Sequence, residues 1–348
     1  MKAVVVQKPG VLEVQDVPEP EPGSEEIKVK IAYAGICGSD HKILEGSLGS
    51  AHPQGAIGDL LKVLPMRDGP KILGHEASGT IVKIGKDIKG DFKVGQHVAM
   101  NFRSACGECY YCTNGMENYC ERVKSFTGDM AEYNVFKEGV VFPLPDDLPL
   151  DVGAFLEPVA VAVHAVDSAH IKVGDSVIIS GGGPIGLLVL QLAIKSGASK
   201  VLLSEPIAEK RKLAKELGAD VVVDPLNENL LEMCNQFTDR KGFNVCIEAT
   251  GIPSIARQLI LLAERCGRIV WAGVYPGNTD VGVPIFYMYS KELSINSIKN
   301  APYSFSRAAQ MLPKLNLKPM ITVYPLTEAV KAFEAHKMGK AIKIMLKP

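Results

Sequence analysis

From about residue 175 onward, short apolar segments alternate with amphipathic ones, and this alternation constrains the fold more than any other feature of the chain. Strands covered on both faces are continuous apolar runs, and the helices between them cover a parallel sheet. The predicted strands are residues 176–179, 201–203, 221–223, 245–248, 268–272 and 293–298. The predicted helices are residues 184–195, 207–217, 226–237 and 254–263. The pattern predicts an α/β fold with a doubly wound parallel sheet.

The first third of the chain has a different pattern, which predicts a β-rich domain. Val- and Ile-rich runs at residues 2–6, 26–35, 78–84 and 97–100 are separated by turns that carry Pro and Gly. Residues 11–23 are rich in Pro and acidic side chains, which favours a solvated connection. The apolar run at residues 341–346 is expected to return to this domain. We therefore predict one domain from residues 1–157 and 299–348 and a second from residues 158–298.

The composition is that of a folded chain with small-molecule partners. The 348 residues are 47% apolar, which is enough to bury a sizeable core. Lys and Arg number 38 against 39 Asp and Glu, a balance that excludes a nucleic-acid binder or a polybasic membrane protein. The apolar stretches are shorter than the ~20 residues that span a bilayer, and the one at residues 3–6 is too short for a signal peptide. We expect a cytoplasmic protein with no membrane partner.

Four cysteines fall within 15 residues in the pattern C-x2-C-x2-C-x7-C. They are Cys106, Cys109, Cys112 and Cys120. Four thiolates at this spacing can close a tetrahedral shell around Zn²⁺ and leave no position open for a substrate, so the predicted role is structural. Disulfides and a four-Cys iron–sulfur cluster are the alternatives, since spacing alone does not identify the metal.

A glycine-rich segment that fits G-x-G-x-x-G follows the first predicted strand of the parallel sheet and opens a helix. Its residues are Gly181, Gly182, Gly183, Pro184, Ile185 and Gly186. In this context the glycines permit a tight turn, a close approach to a pyrophosphate and close packing of helix on sheet, while the helix N-terminus attracts phosphate. Glu205 ends the next strand, where an acid accepts hydrogen bonds from ribose. The segment predicts dinucleotide binding, with an ordinary strand–helix turn as the alternative.

Three further segments carry residues that could bind a metal, although each is ordinary by itself. Cys37 ends one predicted strand region, His75 and Glu76 precede another, and Glu157 lies at the predicted domain junction. A single Cys is more often a small buried apolar residue, and a single His-Glu pair is more often at the surface. Composition and spacing do not unite these residues.

Together these segments resemble the zinc-dependent medium-chain dehydrogenase/reductases, the alcohol and polyol dehydrogenase superfamily, over nearly the whole chain. Residues 74–88 match the family's zinc signature G-H-E-x2-G-x5-G-x2-I, and residues 35–40 match its G-x-C-G-S-D string. The resemblance implies a GroES-like β-rich catalytic domain joined to a Rossmann domain. It also implies a homodimer or homotetramer, in which the edge strand at residues 293–298 could pair across a two-fold axis.

The resemblance also implies a catalytic zinc held by Cys37, His75 and Glu76. Glu157 is implied as a fourth ligand or as a residue one water molecule away. An open site of this kind is a Lewis acid that lowers the pKa of a bound alcohol, which can then pass a hydride to a nicotinamide.

A proton relay is part of what the resemblance implies. Ser39 matches the residue that hydrogen-bonds the alkoxide and starts the relay. The relay often continues through a His five positions after the zinc Cys, but this chain has Lys42 there and His41 one position earlier. His41 is therefore a relay candidate, with an ordinary exposed His as the alternative.

Residues 153–158, with the sequence G-A-F-L-E-P, are similar to sorbitol and related polyol dehydrogenases. The implied reaction is oxidation of a secondary hydroxyl of a polyol, cyclitol, sugar or sugar derivative to a ketone. Sorbitol itself is not implied, because Asn300 and Ala301 stand where animal sorbitol dehydrogenases carry an Arg-Tyr pair. A threonine-type or simple alcohol dehydrogenase is the alternative enzyme. A binding protein on the same scaffold is a third possibility, against which the retained zinc residues argue.

Two further expectations concern the cofactor and an insertion. Glu205 favours NAD over NADP, because a 2′-phosphate at its carboxylate would meet a like charge. Lys210 is expected near the adenine ribose, as in similar NAD enzymes, and Arg211 is expected to be a solvated helix residue.

Residues 46–70 lengthen the interval between Cys37 and the zinc His relative to the family, which suggests a substrate lid, a subunit contact or a neutral loop.

Overall fold

A computed structural model of the chain describes residues 1–46, 71–125, 127–275 and 279–348. These residues form two compact units, one from Met1–Glu157 with Phe305–Pro348 and the other from Pro158–Ser304. The second unit therefore continues past residue 298, where the sequence predicted its end. The insertion predicted at residues 46–70 lies outside the described residues except for its first position. Within the described ranges, no helix combines the length and the apolar character needed to cross a membrane.

The strands and helices are numbered separately along the chain. The strands are β1 (Lys2–Lys8), β2 (Val11–Asp16), β3 (Glu26–Gly35), β4 (Lys71–Ile72), β5 (Ala77–Ile84), β6 (His97–Met100), β7 (Arg103–Ser104), β8 (Lys124–Ser125), β9 (Tyr133–Lys137), β10 (Val141–Pro143), β11 (Ser176–Ser180), β12 (Lys200–Ser204), β13 (Val221–Val223), β14 (Phe243–Glu248), β15 (Ala263–Trp271), β16 (Ser294–Ser297), β17 (Ile321–Pro325) and β18 (Lys343–Lys347). The helices are α1 (Gly38–Leu44), α2 (Tyr110–Thr113), α3 (Leu150–Gly153), α4 (Leu156–Ala169), α5 (Pro184–Lys195), α6 (Ala208–Glu216), α7 (Leu230–Phe237), α8 (Pro253–Leu262), α9 (Ile285–Lys291), α10 (Phe305–Met311) and α11 (Ala329–Lys337).

The first unit is built on a seven-stranded sheet with the order β10-β6-β5-β3-β18-β17, in which β9 also pairs with β3. The long strand β3 is its centre, because it pairs with β5, β9 and β18. Ile27, Phe136 and Ile344 are fully buried in the core of this unit. The helix α11 adds Phe333 to the same core. The C-terminal strand therefore lies inside the first unit and beside β3.

The interpretation of residues 11–23 as a solvated connection is wrong for their first half. Residues Val11–Asp16 form β2, which pairs antiparallel with β1 so that Val14 lies opposite Val4. Leu12 and Val14 pack against the core of the unit, and their spacing of two is the strand signal that the acidic neighbours obscured. Gly10, with a φ of +80°, makes the tight turn between the two strands.

The second unit is a parallel six-stranded sheet with the order β13-β12-β11-β14-β15-β16. All six strands overlap the residues predicted for them, although β15 begins five residues before its predicted start, and the predicted α/β fold class is confirmed. The chain winds outward in one direction from β11 to β13 and in the other from β14 to β16. The order therefore reverses between β11 and β14, and ligands of doubly wound sheets bind outside the carboxyl ends of the strands at such a point.

The predicted helix at residues 226–237 begins later than expected, at Leu230. Asp224 accepts a hydrogen bond from the Leu226 backbone, and Glu228 accepts one from the Asp224 backbone. These local bonds hold the preceding residues in a turn. Asn229 then caps the helix by accepting a hydrogen bond from the Glu232 backbone at 3.2 Å.

Candidate functional site

The four clustered cysteines converge on one point in the first unit. Cys109 precedes α2, and Cys112 lies inside it. The four Sγ atoms of the cluster lie within 4.8 Å of one another. The Cys109 and Cys112 sulfurs are 3.5 Å apart, and those of Cys106 and Cys112 are 3.9 Å apart. A tetrahedral zinc shell with bonds of about 2.3 Å needs sulfurs about 3.8 Å apart, whereas a disulfide needs about 2.05 Å, so the geometry fits a closed metal site.

Backbone N–H groups around this cluster favour thiolates. The Cys106 sulfur accepts hydrogen bonds from the Glu108 and Cys109 backbones at 3.4 and 3.3 Å, and these bonds lower the pKa of the Cys106 thiol to about 6. Burial, together with the neighbouring thiols, raises the pKa of Cys112 to about 12. A negative charge on one sulfur therefore disfavours ionisation of the neighbouring thiol. A bound cation removes that opposition, as in structural zinc sites.

Cys37, His75 and Glu76 form a second group, whose possible ligand atoms also lie within 4.8 Å of one another. The sheet explains their meeting. Cys37 follows β3 and precedes α1, whereas His75 and Glu76 directly precede β5. The two strands pair antiparallel, with Ala34 opposite Ala77. The pairing of β3 with β5 therefore brings together residues that the sequence alone could not unite.

Gly74 makes the approach of this segment possible. Its φ is +103°, a left-handed conformation that favours glycine. A Cβ at this position would also lie 2.6 Å from the Met130 backbone nitrogen. A side chain at residue 74 would displace His75 from the group.

A buried carboxylate orients His75. Asp40 is fully buried, and its Oδ2 accepts a hydrogen bond from the Cys37 backbone at 2.8 Å. Its Oδ1 lies 3.5 Å from His75 Nδ1. Burial lowers the pKa of His75, but the Asp40 carboxylate and Cys37 outweigh burial and hold that pKa well above its usual value. A ligand histidine normally turns its second nitrogen toward a carboxylate in this way, which leaves Nε2 for a metal.

Lys343 is the main residue of this region that sequence reasoning missed. It is 2% exposed on β18, its Nζ forms an ion pair with Glu76, and it donates to the Ile36 carbonyl at 3.0 Å. Burial lowers the pKa of Lys343, but the charges of Glu76 and Cys37 raise it above its usual value. The available signal was a lysine inside an otherwise apolar run, which periodicity alone would have assigned to a solvent face.

Two buried acids lie near this group without belonging to it. Glu157, in the first turn of α4, is 8% exposed, and its carboxylate is not within 4.8 Å of all three ligand atoms. Burial, with the charge of Glu76, raises the pKa of Glu157 to about 7, although His75 lowers it. Burial likewise raises the pKa of Asp129, which sequence reasoning missed, to about 7.

The relay candidates both lie on α1. Ser39 is half-buried, two residues after Cys37. The His41 ring stacks on that of His336 with centroids 4.9 Å apart, and the His41 Nε2 and His336 Nδ1 atoms are 2.9 Å apart. Burial lowers the pKa of His41. His41 is thus a half-buried residue paired with α11, and it is not the exposed residue of the alternative interpretation.

In the second unit, the glycine-rich segment joins β11 to α5. Gly181 has a φ of +107°, Gly183 precedes the helix, and Pro184 occupies its first turn beside Ile185. A Cβ on Gly186 would collide with the Gly181 carbonyl, so this glycine permits close packing of the turn on the helix. The free N–H groups of the first turn can bind a phosphate.

Glu205 follows β12 and lies beside this segment. It is 5% exposed, and its Oε2 accepts a hydrogen bond from the Gly182 backbone at 2.6 Å. Lys210 is half-buried on α6. The expectation that Arg211 is solvated is wrong, because it donates to the Glu205 carbonyl at 2.7 Å and pairs with Asp224 at 3.0 Å. Arg211 therefore stabilises the backbone at Glu205.

Two family models match the chain. A model described as an alcohol dehydrogenase GroES-like domain matches residues 23–146. A model described as a zinc-binding dehydrogenase matches residues 184–314. These matches fall on both units and confirm the predicted resemblance.

Known proteins are similar to the chain over its full length. A sorbitol dehydrogenase of Halalkalibacterium halodurans is 33% identical over 100% of this chain and 99% of its own. An L-threonine 3-dehydrogenase of Pyrococcus horikoshii is 33% identical over 99% of this chain and 98% of its own length. A solved structure from Sinorhizobium meliloti is described as a zinc-binding dehydrogenase bound to NADP. It is 31% identical, has a TM-score of 0.90, and is matched over 100% of this chain and 99% of its own. The chain therefore belongs to the zinc-binding medium-chain dehydrogenases, enzymes that act on a CH–OH group.

Proposed function

We propose that this protein is an NAD-dependent dehydrogenase that oxidises a secondary hydroxyl of a polyol, cyclitol, sugar or sugar derivative to a ketone. The observation that carries the proposal is the group formed by Cys37, His75 and Glu76. Three protein ligands leave a position for substrate, which is typical of catalytic zinc sites, whereas the four-cysteine cluster has no such position. We assign a structural zinc to the cluster.

In this proposal zinc would act as a Lewis acid that lowers the pKa of the substrate hydroxyl, and NAD⁺ would take up the hydride. Asp40 orients His75, and Lys343 holds Glu76 through their buried ion pair. Glu157 lies outside the ligand group, so it would be one water molecule away from a metal bound there.

The proton of the substrate hydroxyl needs a path of its own. Ser39 Oγ accepts this proton as its own hydroxyl proton passes on to the His41 ring, the next carrier in the proposed relay, whose Nε2 is already bonded to His336. The hydrogen bond between His41 and His336 holds the His41 ring in one orientation at 2.9 Å. Burial lowers the pKa of His41, so its ring is neutral and able to accept a proton at neutral pH.

The proposed substrate class rests on residues 153–158 and on the relatives. Glu157 and Pro158 stand in a sequence similar to polyol dehydrogenases. The similarity to the sorbitol dehydrogenase agrees with this class, but the L-threonine 3-dehydrogenase is equally similar. A threonine-type or simple alcohol dehydrogenase is therefore the second candidate.

A substrate screen separates these two candidates. The purified protein should reduce NAD⁺ with at least one polyol, cyclitol, sugar or sugar phosphate and should react slowly with threonine and simple alcohols. Absorbance at the nicotinamide band measures the rate. Preferential oxidation of threonine would replace the proposed substrate class.

In the same assay, Glu157→Gln should keep its zinc and lose about 100-fold in turnover, within the range of a positioned acid–base group. Full activity of this variant would remove Glu157 from the site.

The two zinc sites should differ in what they stabilise. Cys109→Ser should lose one zinc and lower the free energy of unfolding by more than about 3 kcal/mol, because a closed site contributes to folding directly. Cys37→Ser should lose the other zinc and its turnover, with a melting temperature near wild type. Elemental analysis and thermal unfolding provide the measurements, and Cys266→Ser, at an exposed position outside both groups, is the control. Equal destabilisation by Cys109→Ser and Cys37→Ser would contradict the assignment.

Cofactor preference tests the role of Glu205. A 2′-phosphate beside this buried carboxylate would meet a like charge, so kcat/KM should favour NAD⁺ over NADP⁺ by at least ~100-fold. Glu205→Ser should lose most of that preference. Glu209→Ser removes the same charge from an exposed position on α6, and this variant should keep the preference for NAD⁺. Equal use of both cofactors by the wild type would refute the assignment, and the NADP in the Sinorhizobium meliloti structure makes this test necessary.

We also propose that the protein is a homodimer or homotetramer that associates through β16 and α9. The strand β16 is at one end of its sheet, and Ile285, Phe286 and Tyr289 on α9 are 78%, 80% and 79% exposed. Exposed apolar patches beside open sheet edges commonly mark subunit contacts. Light scattering should give a multiple of the chain mass, and Phe286→Asp with Tyr289→Asp should reduce it to one chain. A wild-type monomer would exclude the proposal.

A further inference from the structure

A carboxylate that the proposed reaction does not use is buried at the reversal point of the second sheet. Glu248 is the last residue of β14 and is fully buried. It lies opposite Ser180 of β11 on one side and opposite Trp271 of β15 on the other. Ser180 is followed directly by the glycine-rich segment. Glu248 thus lies at the carboxyl edge of the sheet, where ligands of doubly wound folds bind.

Neutral donors from two segments saturate this carboxylate. The Thr250 backbone donates to Oε1 at 2.6 Å, and the Thr250 hydroxyl donates to the same oxygen. The Gly251 backbone donates to Oε1 at 3.0 Å and to Oε2 at 3.1 Å, and the Tyr275 hydroxyl donates to Oε2 at 2.5 Å. A carboxylate offers about four acceptor positions, so these four donors leave none for a ligand. Glu248 can act on a bound molecule only through the groups that it holds.

The segments that meet at Glu248 are residues 249–251 and 272–275. The Glu248 carbonyl accepts hydrogen bonds from the Ala272 and Gly273 backbones at 2.8 and 3.1 Å. Its carboxylate binds Tyr275, so one residue holds both ends of the second segment. Burial and the Glu248 carboxylate raise the pKa of Tyr275, which keeps the phenol protonated as the donor. The first segment in turn packs on the glycine-rich turn, because a Cβ on Gly181 would lie 3.0 Å from the Thr250 side chain.

We propose that Glu248 and Tyr275 position the nicotinamide half of the cofactor by holding these two segments together at the sheet edge. The inference rests on the proposed binding of NAD. Glu205 lies on the β12 side of the reversal point, where it faces the adenosine half, and the glycine-rich turn takes the pyrophosphate. The other nucleotide half then lies over β14 and β15, where the two segments are. Glu248 and Tyr275 are positioning residues and do not touch the reacting atoms.

The direct test compares two ligands that differ only in the nicotinamide half. NADH contains it, whereas ADP has the adenosine and pyrophosphate portions alone. Tyr275→Phe removes one hydroxyl and should raise the dissociation constant of NADH about tenfold, the scale of one hydrogen bond to a charged group. The dissociation constant of ADP should change less than about twofold. Calorimetry measures both without any turnover.

A matched control has the same substitution elsewhere in the unit. Tyr287 is also half-buried and donates to the Leu261 carbonyl at 2.8 Å. Tyr287→Phe should leave both dissociation constants unchanged. Glu248→Gln keeps the side-chain size but turns an amide donor toward the other donors, so it should weaken NADH binding more than Tyr275→Phe does.

Trp271 provides a readout that needs no cofactor. It is the single tryptophan of the chain, and its ring lies 6.3 Å from that of Tyr275 in an edge-to-face arrangement. Release of residues 272–275 should expose it to water, so the emission of Tyr275→Phe should shift to longer wavelength. The emission of Tyr287→Phe should match that of the wild type.

The outcomes separate this inference from the proposed function. Equal losses of NADH and ADP binding in Tyr275→Phe would overturn the assignment to the nicotinamide half, as would unchanged binding of both. A wild-type protein that binds neither ligand would instead overturn NAD binding itself, and this inference with it. Selective loss of NADH binding together with the fluorescence shift supports the inference.

Discussion

The charges buried around Cys37, His75 and Glu76 are the constraint on which the first unit depends. Asp40, Glu76 and Lys343 are all within 2% of full burial, and His75 is 9% exposed. A buried ion pair does little more than offset the cost of removing its charges from water, whereas an unpaired buried charge is strongly destabilising. The strand order of the sheet, which places β3 between β5 and β18, is what allows these charges to pair.

Negative groups outnumber positive ones in this cluster. Lys343 neutralises Glu76, and His75 partly neutralises Asp40, while Asp129 and Glu157 remain. Burial raises the pKa values of Asp129 and Glu157 to about 7, which is how the fold limits the accumulated charge. A divalent cation held by the Cys, His and Glu atoms would supply the missing positive charge. These donors are therefore those of a metal site, because an apolar core of the same volume would contain no buried charges to be neutralised.

Local patterns predicted the elements well, and contacts between distant residues were the part that they could not predict. The helix α5 occupies the predicted residues because Gly183 and Pro184 fix its start in the sequence itself. By contrast, Lys343 meets Glu76, and His336 meets His41, only after the strands have paired. The four-cysteine cluster was predictable because its ligands are close in sequence. Cys37 and His75 were united at first only by resemblance, since no local pattern reports which strands become neighbours.

The two buried acids at the carboxyl edge of the second sheet, Glu205 and Glu248, show how one residue type takes two roles. Glu248 accepts hydrogen bonds from four donors and has no acceptor position left. Within the described part of the chain, the donors to the Glu205 carboxylate are the Gly182 and Ile207 backbones, at 2.6 and 3.0 Å. About two of its acceptor positions remain, the number that the two hydroxyl donors of a ribose would need in the proposed NAD site. A 2′-phosphate offers acceptors in place of one such donor, so it would leave that position unpaired as well as repel the charge. The number of donors that the fold already supplies thus separates an acid that can bind a ligand from one that can only hold the protein in place.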